Sequence, residues 1–348
     1  MRMHKMSFSA LLFGQILRHG PLHRFALAVF LLVLPFRATA QQQGSHGAYL
    51  HRGFDAACDF RESLQSGHGL ELGGLLNAQS QSLLSSPYNS GKNRSSAYYW
   101  LQADKTLWPG ASFIVEIEGG WGEGLDRLVE TYSVLNGNAG EPSTLYIPKA
   151  YLTQSLLDER LTIYAGKLDL SSWYDLNDVA NSSDIQFLSS SLVYNLAIPF
   201  PAKGLGMMAA FSPSDAWYIQ SGFSDAQAVS THTGFDTAFA DDARMFAIAE
   251  AGWCPVIRER RGHYRFMIWY NQLEYPRFDE QGDEAGSPGG AFSFDQGIHD
   301  VVTLFCRYGN ADPDVYTIEH FWSCGAHSPN VCLCVPTTCL DWRWLNPS

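Results

Sequence analysis

The sequence predicts an all-β protein whose strands form an antiparallel, up-and-down transmembrane β-barrel. Three observations predict this fold class. Apolar and polar residues alternate with period two in many segments, and the links between these segments are alternately short and long. Beyond the N-terminal segment, no apolar run approaches the ~20 residues that a membrane-spanning helix needs. A chain in lipid that does not cross as helices must cross as a closed sheet.

Composition excludes some classes of protein at once. The chain has 348 residues, of which 46% are hydrophobic, 14% aromatic and only 17% charged, which is too apolar for a disordered chain. The formal net charge is −12, and a nucleic-acid partner would require a basic surface. The length suits two ordinary domains or one large barrel.

The first forty residues predict a secretory signal peptide. Residues 1–24 contain basic residues and no acidic ones, and the apolar stretch Phe25–Phe36 follows them. This stretch ends before Ala38-Thr39-Ala40, which has the small-residue pattern of a cleavage site. We therefore expect residues 1–40 to be removed on export, although an uncleaved anchor is an alternative. The predicted barrel then occupies residues 41–322.

Period two is clearest in three segments. In the segment 111–121, Phe113, Val115 and Ile117 share one face, and Glu116 and Glu118 share the other. Each such segment therefore has one apolar face and one face that can meet water. The other two segments place Tyr264, Phe266, Ile268 and Tyr270 opposite His263, Arg265 and Asn271, and Val302, Leu304, Cys306 and Tyr308 opposite Thr303 and Arg307.

About eleven strands are expected in total. Besides the three segments above, strand-like runs lie near 67–80, 96–107, 145–157, 160–168, 202–211, 215–224, 244–254 and 314–322. Short links are predicted at 108–110, 158–159, 212–215, 255–262 and 310–314, and long links at 81–95, 122–144, 169–201, 225–243 and 275–297. Tight turns on one rim and long loops on the other are typical of outer-membrane barrels.

A secreted β-sandwich is the alternative fold. Its strands would also alternate, but they would bury their apolar face between two sheets. Tyr264 and Tyr270 stand at the two ends of one apolar face, where aromatic residues suit the two membrane interfaces. This arrangement favours the barrel.

The segment 163–201 resembles the hallmark region of the carbohydrate-selective porins of the OprB type. Several short matches occur there in order, and together they are more specific than any one of them. The matching pieces are Ala165–Asp169, Tyr174–Asn177, Ala180-Asn181, Gln186–Leu188 and Ala197–Pro201, and further matches follow at Gly204–Met207, Tyr264–Phe266, Phe294–Gly297 and Arg307–Gly309.

The resemblance implies a bacterial outer-membrane barrel of roughly sixteen strands that admits mono- or oligosaccharides by facilitated diffusion. It implies no catalytic group and no cofactor, so we expect a protein that is not an enzyme. Its partners would be outer-membrane lipid and the barrel-assembly machinery, and association as a homotrimer stays open.

The candidate sugar path follows from chemistry. Neutral sugars present hydroxyl groups and weakly apolar CH faces, so a selective path needs hydrogen-bonding carboxylates, Arg or Lys, and aromatic rings. Part of the long loop after residue 168 is expected to fold into the barrel, with a short helix after Ser183. The candidate pore-lining residues are Glu116, Glu118, Lys167, Asp169, Trp173, Asp175, Arg265 and Arg307. The alternative is that most of these charges pair with one another on the lumen wall.

A second functional hypothesis belongs to another class. A secreted carbohydrate-binding protein or glycoside hydrolase could use the same aromatic residues and carboxylates, with Glu116 and Glu118 as an acid pair. Such a protein would be extracted without detergent, whereas a porin would need it.

The C-terminal residues 323–348 depart from the pattern. Four of the seven cysteines lie there, at positions 324, 332, 334 and 339. Their spacing lacks the paired C-x-x-C of a zinc site, so no metal is expected. The family resemblance leads us to expect further strands, and we therefore interpret this segment as a tail outside the family sequence, following an incomplete barrel.

Overall fold

The structure, a computed structural model, describes residues 63–86, 90–131, 133–139, 145–184, 186–278, 285–328 and 331–334. The predicted signal peptide and the last part of the predicted tail, 335–348, lie outside the described residues. None of the helices in the described ranges is long and apolar enough to cross a membrane.

Within the described ranges, fourteen strands form one sheet. They are β1 (Leu70–Leu83), β2 (Lys92–Trp108), β3 (Ala111–Gly122), β4 (Tyr146–Leu156), β5 (Leu161–Leu168), β6 (Gly204–Ser214), β7 (Trp217–Asp225), β8 (Met245–Trp253), β9 (Val256–Ile257), β10 (Arg260–Tyr275), β11 (Ala285–His299), β12 (Val302–Ala311), β13 (His320–Ser328) and β14 (Val331–Cys334). Short helical turns are η1 (Leu125–Arg127), η2 (Leu170–Ser172), α1 (Ser190–Val193) and α2 (Phe235–Ala238).

Each strand pairs antiparallel with its neighbour in sequence, except that the short β9 pairs with β10 alone and leaves β8 to pair with β10. The sheet is therefore an up-and-down meander, and the predicted fold class is confirmed. The links alternate throughout: Pro109-Gly110 joins β2 to β3 and residues 157–160 join β4 to β5, whereas 169–203 joins β5 to β6. We call the two edges the short-turn rim and the long-loop rim.

The long link predicted at 275–297 is wrong, because β11 occupies most of it. Its sequence contains Pro288 and several glycines, which are typical of turns. The glycines make room for large neighbours: a Cβ on Gly289 would lie 2.1 Å from the Trp269 ring. As a consequence, the link 312–319 lies on the long-loop rim, and the strand predicted at 314–322 is shifted to β13.

The two faces of the sheet differ as predicted. On β10 the outward side chains of Phe266, Ile268 and Tyr270 are 59%, 54% and 48% exposed, whereas Arg265 on the opposite face is 5% exposed. The same holds in β3, where Phe113 is exposed and the two glutamates are buried. The apolar face is therefore the outer one.

The link 169–203, which we call the inner loop, packs on the inner face of the sheet. Its residues Leu170, Tyr174, Ala197 and Ile198 form one hydrophobic cluster with strand residues. The strand residues of this cluster are Leu168, Met208, Phe246, Ile248, Met267, Trp269, Ala291, Ala311 and Phe321. The helix expected after Ser183 is reduced to α1, and the Ser183 hydroxyl donates to the Asn138 amide oxygen instead of capping a helix.

The boundary predicted after residue 322 falls inside β13. This strand pairs with β12 through residue 327, and a disulfide joins Cys324 to Cys306. Residues 323–328 are therefore part of the sheet.

Candidate functional site

A cavity of about 490 Å³ lies between the inner loop and the inner faces of β2, β3 and β4. We call these three inner faces the polar wall. The charged residues that line the cavity are Glu116, Glu118, Lys149, Asp169, Asp184 and Lys203, and the aromatic and amide residues include Tyr98, Trp100, Tyr194, Gln102, Asn138 and Asn181.

Strand geometry places the polar wall. Tyr98, Trp100 and Gln102 alternate along β2 and therefore share its inner face. The register sets Gln102 opposite Glu116 and Trp100 opposite Glu118. A ring, an amide and two carboxylates thus lie side by side on neighbouring strands.

Glu118 is bound by three donors. The hydroxyl of Tyr98 donates to Oε1 at 2.9 Å, and the hydroxyl of Tyr146 donates to Oε2 at 2.6 Å. Nζ of Lys203, at the end of the inner loop, lies 2.6 Å from Oε2. These bonds hold the carboxylate and attach the inner loop to the polar wall.

Glu116 forms a cross-strand ion pair. Lys149 stands opposite it in the register of β3 and β4, and its Nζ lies 2.9 Å from Oε1. Each of the two glutamates on the polar wall therefore has a lysine partner.

The two aspartates of the cavity have neutral partners. Asp169 Oδ1 accepts hydrogen bonds from the backbone N–H and the hydroxyl of Ser171, at 3.1 and 2.6 Å. Asp184 Oδ1 accepts from the Asn138 amide at 2.9 Å. Burial raises the pKa of the Asp184 carboxyl, since desolvation disfavours its charged form.

Arg307 and Asp175 lie away from the cavity and anchor the inner loop. Nε of Arg307 is 3.0 Å from Asp175 Oδ2, and its other nitrogens donate to the carbonyls of Leu192 and Asp175 at 2.9 and 3.0 Å. Asp175 Oδ2 also accepts from the Asn195 N–H at 2.8 Å. Arg307 is 0% exposed, so this pair ties the loop to β12.

Arg265 belongs to a second anchor. Its guanidinium donates to Asp295 Oδ2 at 2.7 Å, while His263 Nδ1 lies 2.7 Å from Asp295 Oδ1 and 3.3 Å from Asp178 Oδ2. Asp178, His263 and Asp295 are close enough together to hold a cation. The guanidinium of Arg265 already binds one of the Asp295 oxygens, however, and this arrangement suits an ion-pair network.

Lys167 and Trp173 also lie outside the cavity lining. Nζ of Lys167 donates to the carbonyls of Ile147, Ser230 and His232 at 2.8, 2.6 and 2.5 Å. Trp173 packs edge-on against Tyr151, with ring centroids 5.5 Å apart.

Of the predicted site residues, the structure brings Glu116, Glu118 and Asp169 together at the cavity, and the others do not line it. Sequence analysis missed Lys149 and Lys203 as their partners. Lys203 lies two residues after the hallmark run 197–201, which is a usable signal, whereas the position of Lys149 depends on strand register.

Known proteins resemble this chain in sequence and in fold. The model of the carbohydrate-selective porin, OprB family, matches residues 104–328. Porin AaxA of Chlamydia abortus (strain DSM 27085 / S26/3) is 25% identical over 180 residues, which cover 51% of this chain and 38% of that protein. The high-pH structure of Pseudomonas putida OprB superposes with a TM-score of 0.64 at 15% identity, covering 77% of this chain and 72% of that one.

A single meander with an apolar outer face, an inner loop and a polar cavity defines a protein of the porin class. The chain belongs to the carbohydrate-selective porin, OprB family. This confirms the resemblance, and it points to a bacterial outer membrane. The chain spans 38% of the length of Porin AaxA.

Proposed function

We propose that this protein is an outer-membrane channel through which saccharides cross by facilitated diffusion along the polar wall. The observation that carries the proposal is the combination of a polar, aromatic-lined cavity inside the sheet with an exposed apolar face outside it. The cavity volume of about 490 Å³ falls in the ~300–1,000 Å³ range of small-molecule sites.

The lining fits the chemistry of a sugar. The rings of Tyr98 and Trp100 offer flat surfaces for CH faces, and Gln102 and Asn181 offer amide donors and acceptors for hydroxyl groups. A channel must bind its solute weakly enough to release it. Side-chain contacts without any covalent step meet that requirement.

The proposed partners follow from the two faces. Mono- or oligosaccharides would meet the polar wall, and outer-membrane lipid would meet the exposed apolar face. Export by the segment 1–40, insertion by the barrel-assembly machinery and assembly as a homotrimer remain part of the proposal. So do the direct sugar contacts of Glu116, Glu118 and Asp169.

A secreted carbohydrate-binding protein or hydrolase is not favoured. One continuous sheet with exposed Phe266 and Ile268 does not bury its apolar face as a sandwich would. The channel should therefore need detergent for extraction from membranes.

Swelling of proteoliposomes in isosmotic glucose and maltose tests the proposal with the full chain. Ser172 is exposed and lines the cavity, so Ser172→Trp should slow swelling severalfold without unfolding the protein. Ser90→Trp, on an exposed loop outside the cavity, is the matched control and should swell as the parent does. No sugar-dependent swelling by the folded parent would refute the channel.

A further inference from the structure

The charges that line the cavity are unequal in number. Four carboxylates and two lysines line it. We propose that this imbalance makes the channel prefer cations, so that it passes neutral and amino sugars and retards acidic sugars such as uronates. The inference rests on the proposed function and names the substrate class of the same site.

Both lysines are already neutralised. Nζ of Lys149 lies 2.9 Å from Glu116, and Nζ of Lys203 lies 2.6 Å from Glu118. Each contact is a close ion pair, so neither ammonium is available as a separate attraction for an anionic solute. The field of the polar wall therefore depends on the remaining two acids.

Asp169 and Asp184 supply that field. In the part of the chain that the structure describes, neither forms an ion pair. The donors to Asp169 are the hydroxyl and backbone N–H of Ser171, and the donors to Asp184 are the side chains of Asn138 and Trp100. Neutral donors stabilise a carboxylate but leave its charge in place. Two negative charges consequently face the cavity from the inner loop.

Other basic residues do not offset them. Arg265 and Arg307 are buried against Asp295 and Asp175 and do not line the cavity. The ammonium of Lys167 is enclosed by three carbonyl oxygens beside it. Even with Lys167 counted, the acids outnumber the cations around the cavity.

A narrow path makes this excess effective. Fixed charges act over about 8–10 Å at physiological salt, and low-dielectric walls concentrate their field. A solute inside a cavity of about 490 Å³ cannot avoid that range. Repulsion should slow a monoanionic sugar relative to glucose by roughly threefold or more.

The test measures ion preference and sugar flux on the same reconstituted full-length protein. The zero-current potential of a planar bilayer under a KCl gradient should give a K⁺/Cl⁻ permeability ratio above one. Glucosamine and glucose should leave proteoliposomes faster than glucuronate does. Asp169→Asn with Asp184→Asn should bring the permeability ratio close to one and raise the flux of glucuronate relative to the flux of glucose through the same variant.

The matched control removes two acids elsewhere. Asp158 and Asp215 lie on the short-turn rim, outside the cavity. The double variant Asp158→Asn, Asp215→Asn should therefore keep the parental K⁺/Cl⁻ permeability ratio. The inference alone would be overturned if the parent passes glucose but has a K⁺/Cl⁻ permeability ratio of one or less. It would also be overturned if the two double variants change this ratio equally. Absence of any conductance and any sugar flux would instead refute the proposed function.

Discussion

The inner face of the sheet has two regions of opposite character. The polar wall, on β2, β3 and β4, carries ionisable residues that line a cavity. The packed wall, on β6, β8 and β10–β13, carries residues such as Phe246, Met267 and Phe321, which are fully buried beneath the inner loop. The inner loop therefore packs against one region of the inner face and borders a cavity along the other.

Charged residues follow the same division. Ion pairs of the polar wall border a cavity, whereas Arg307–Asp175 and Arg265–Asp295 are enclosed by the inner loop and the packed wall. The comparison teaches that a charge on the inner face of this sheet can either border the cavity or anchor the inner loop.

The largest expected effect concerns the buried anchor. Arg307→Met removes the partner of a buried carboxylate and should lower the free energy of unfolding by about 3–5 kcal/mol, because Asp175 is left uncompensated. Urea unfolding in detergent measures it. Lys149→Met is the control on the polar wall and should cost only about 1–2 kcal/mol, since solvent can reach Glu116 through the cavity. Equal losses would contradict the division into two walls.

Neighbouring methionines on β6 test the packing. Met208 is 2% exposed and belongs to the packed wall, whereas Met207 is 45% exposed on the outer face. Met208→Ala should cost about 2–5 kcal/mol, because it leaves a cavity among fixed neighbours. Met207→Ala should cost about 1 kcal/mol, the value of the lost apolar contact alone. Thermal unfolding in detergent compares them, and a larger loss at position 207 would reverse the assignment of the faces.

A substitution at Arg265 tests whether this charge anchors the inner loop or contributes to ion preference. The Arg265 guanidinium is 5% exposed and bound to Asp295. Because His263 remains a partner of Asp295, Arg265→Ala should lower the free energy of unfolding by about 2–3 kcal/mol, the value of a lost hydrogen bond to a charged group. The K⁺/Cl⁻ permeability ratio of the folded fraction should stay at the parental value. A changed ratio with unchanged stability would place Arg265 in the sugar path, as the sequence predicts.

Local patterns explain what the sequence could predict. Alternation along a strand is a property of successive residues, so the outward Phe266 and Ile268 and the inward Arg265 could be identified without any partner strand. Glu116 and Glu118 were placed on the inner face in the same way. The alternation of short and long links predicted the up-and-down order of the strands.

Contacts between distant segments could not be read in this way. Lys149 meets Glu116 only because of the register of β3 and β4, and Arg307 meets Asp175 only because the inner loop folds back. The packed wall was missed for a related reason. Met267 and Trp269 share their face with Arg265, and polar residues of that face suggested an interior that is polar throughout.

The smallest expected effect is a dependence of ion preference on pH. Burial raises the pKa of Asp184, so this carboxyl takes up its proton at a higher pH than an exposed aspartate. The groups that act on it are Glu118 and Lys149, together with its hydrogen-bond donors Asn138 and Trp100. As the pH falls through that raised pKa, one negative charge leaves the cavity, and the K⁺/Cl⁻ ratio should decline. Zero-current potentials recorded from neutral to acidic pH check the decline, and Asp184→Asn should flatten it. A ratio that rises on acidification in the parent would show that another group controls the field of the polar wall.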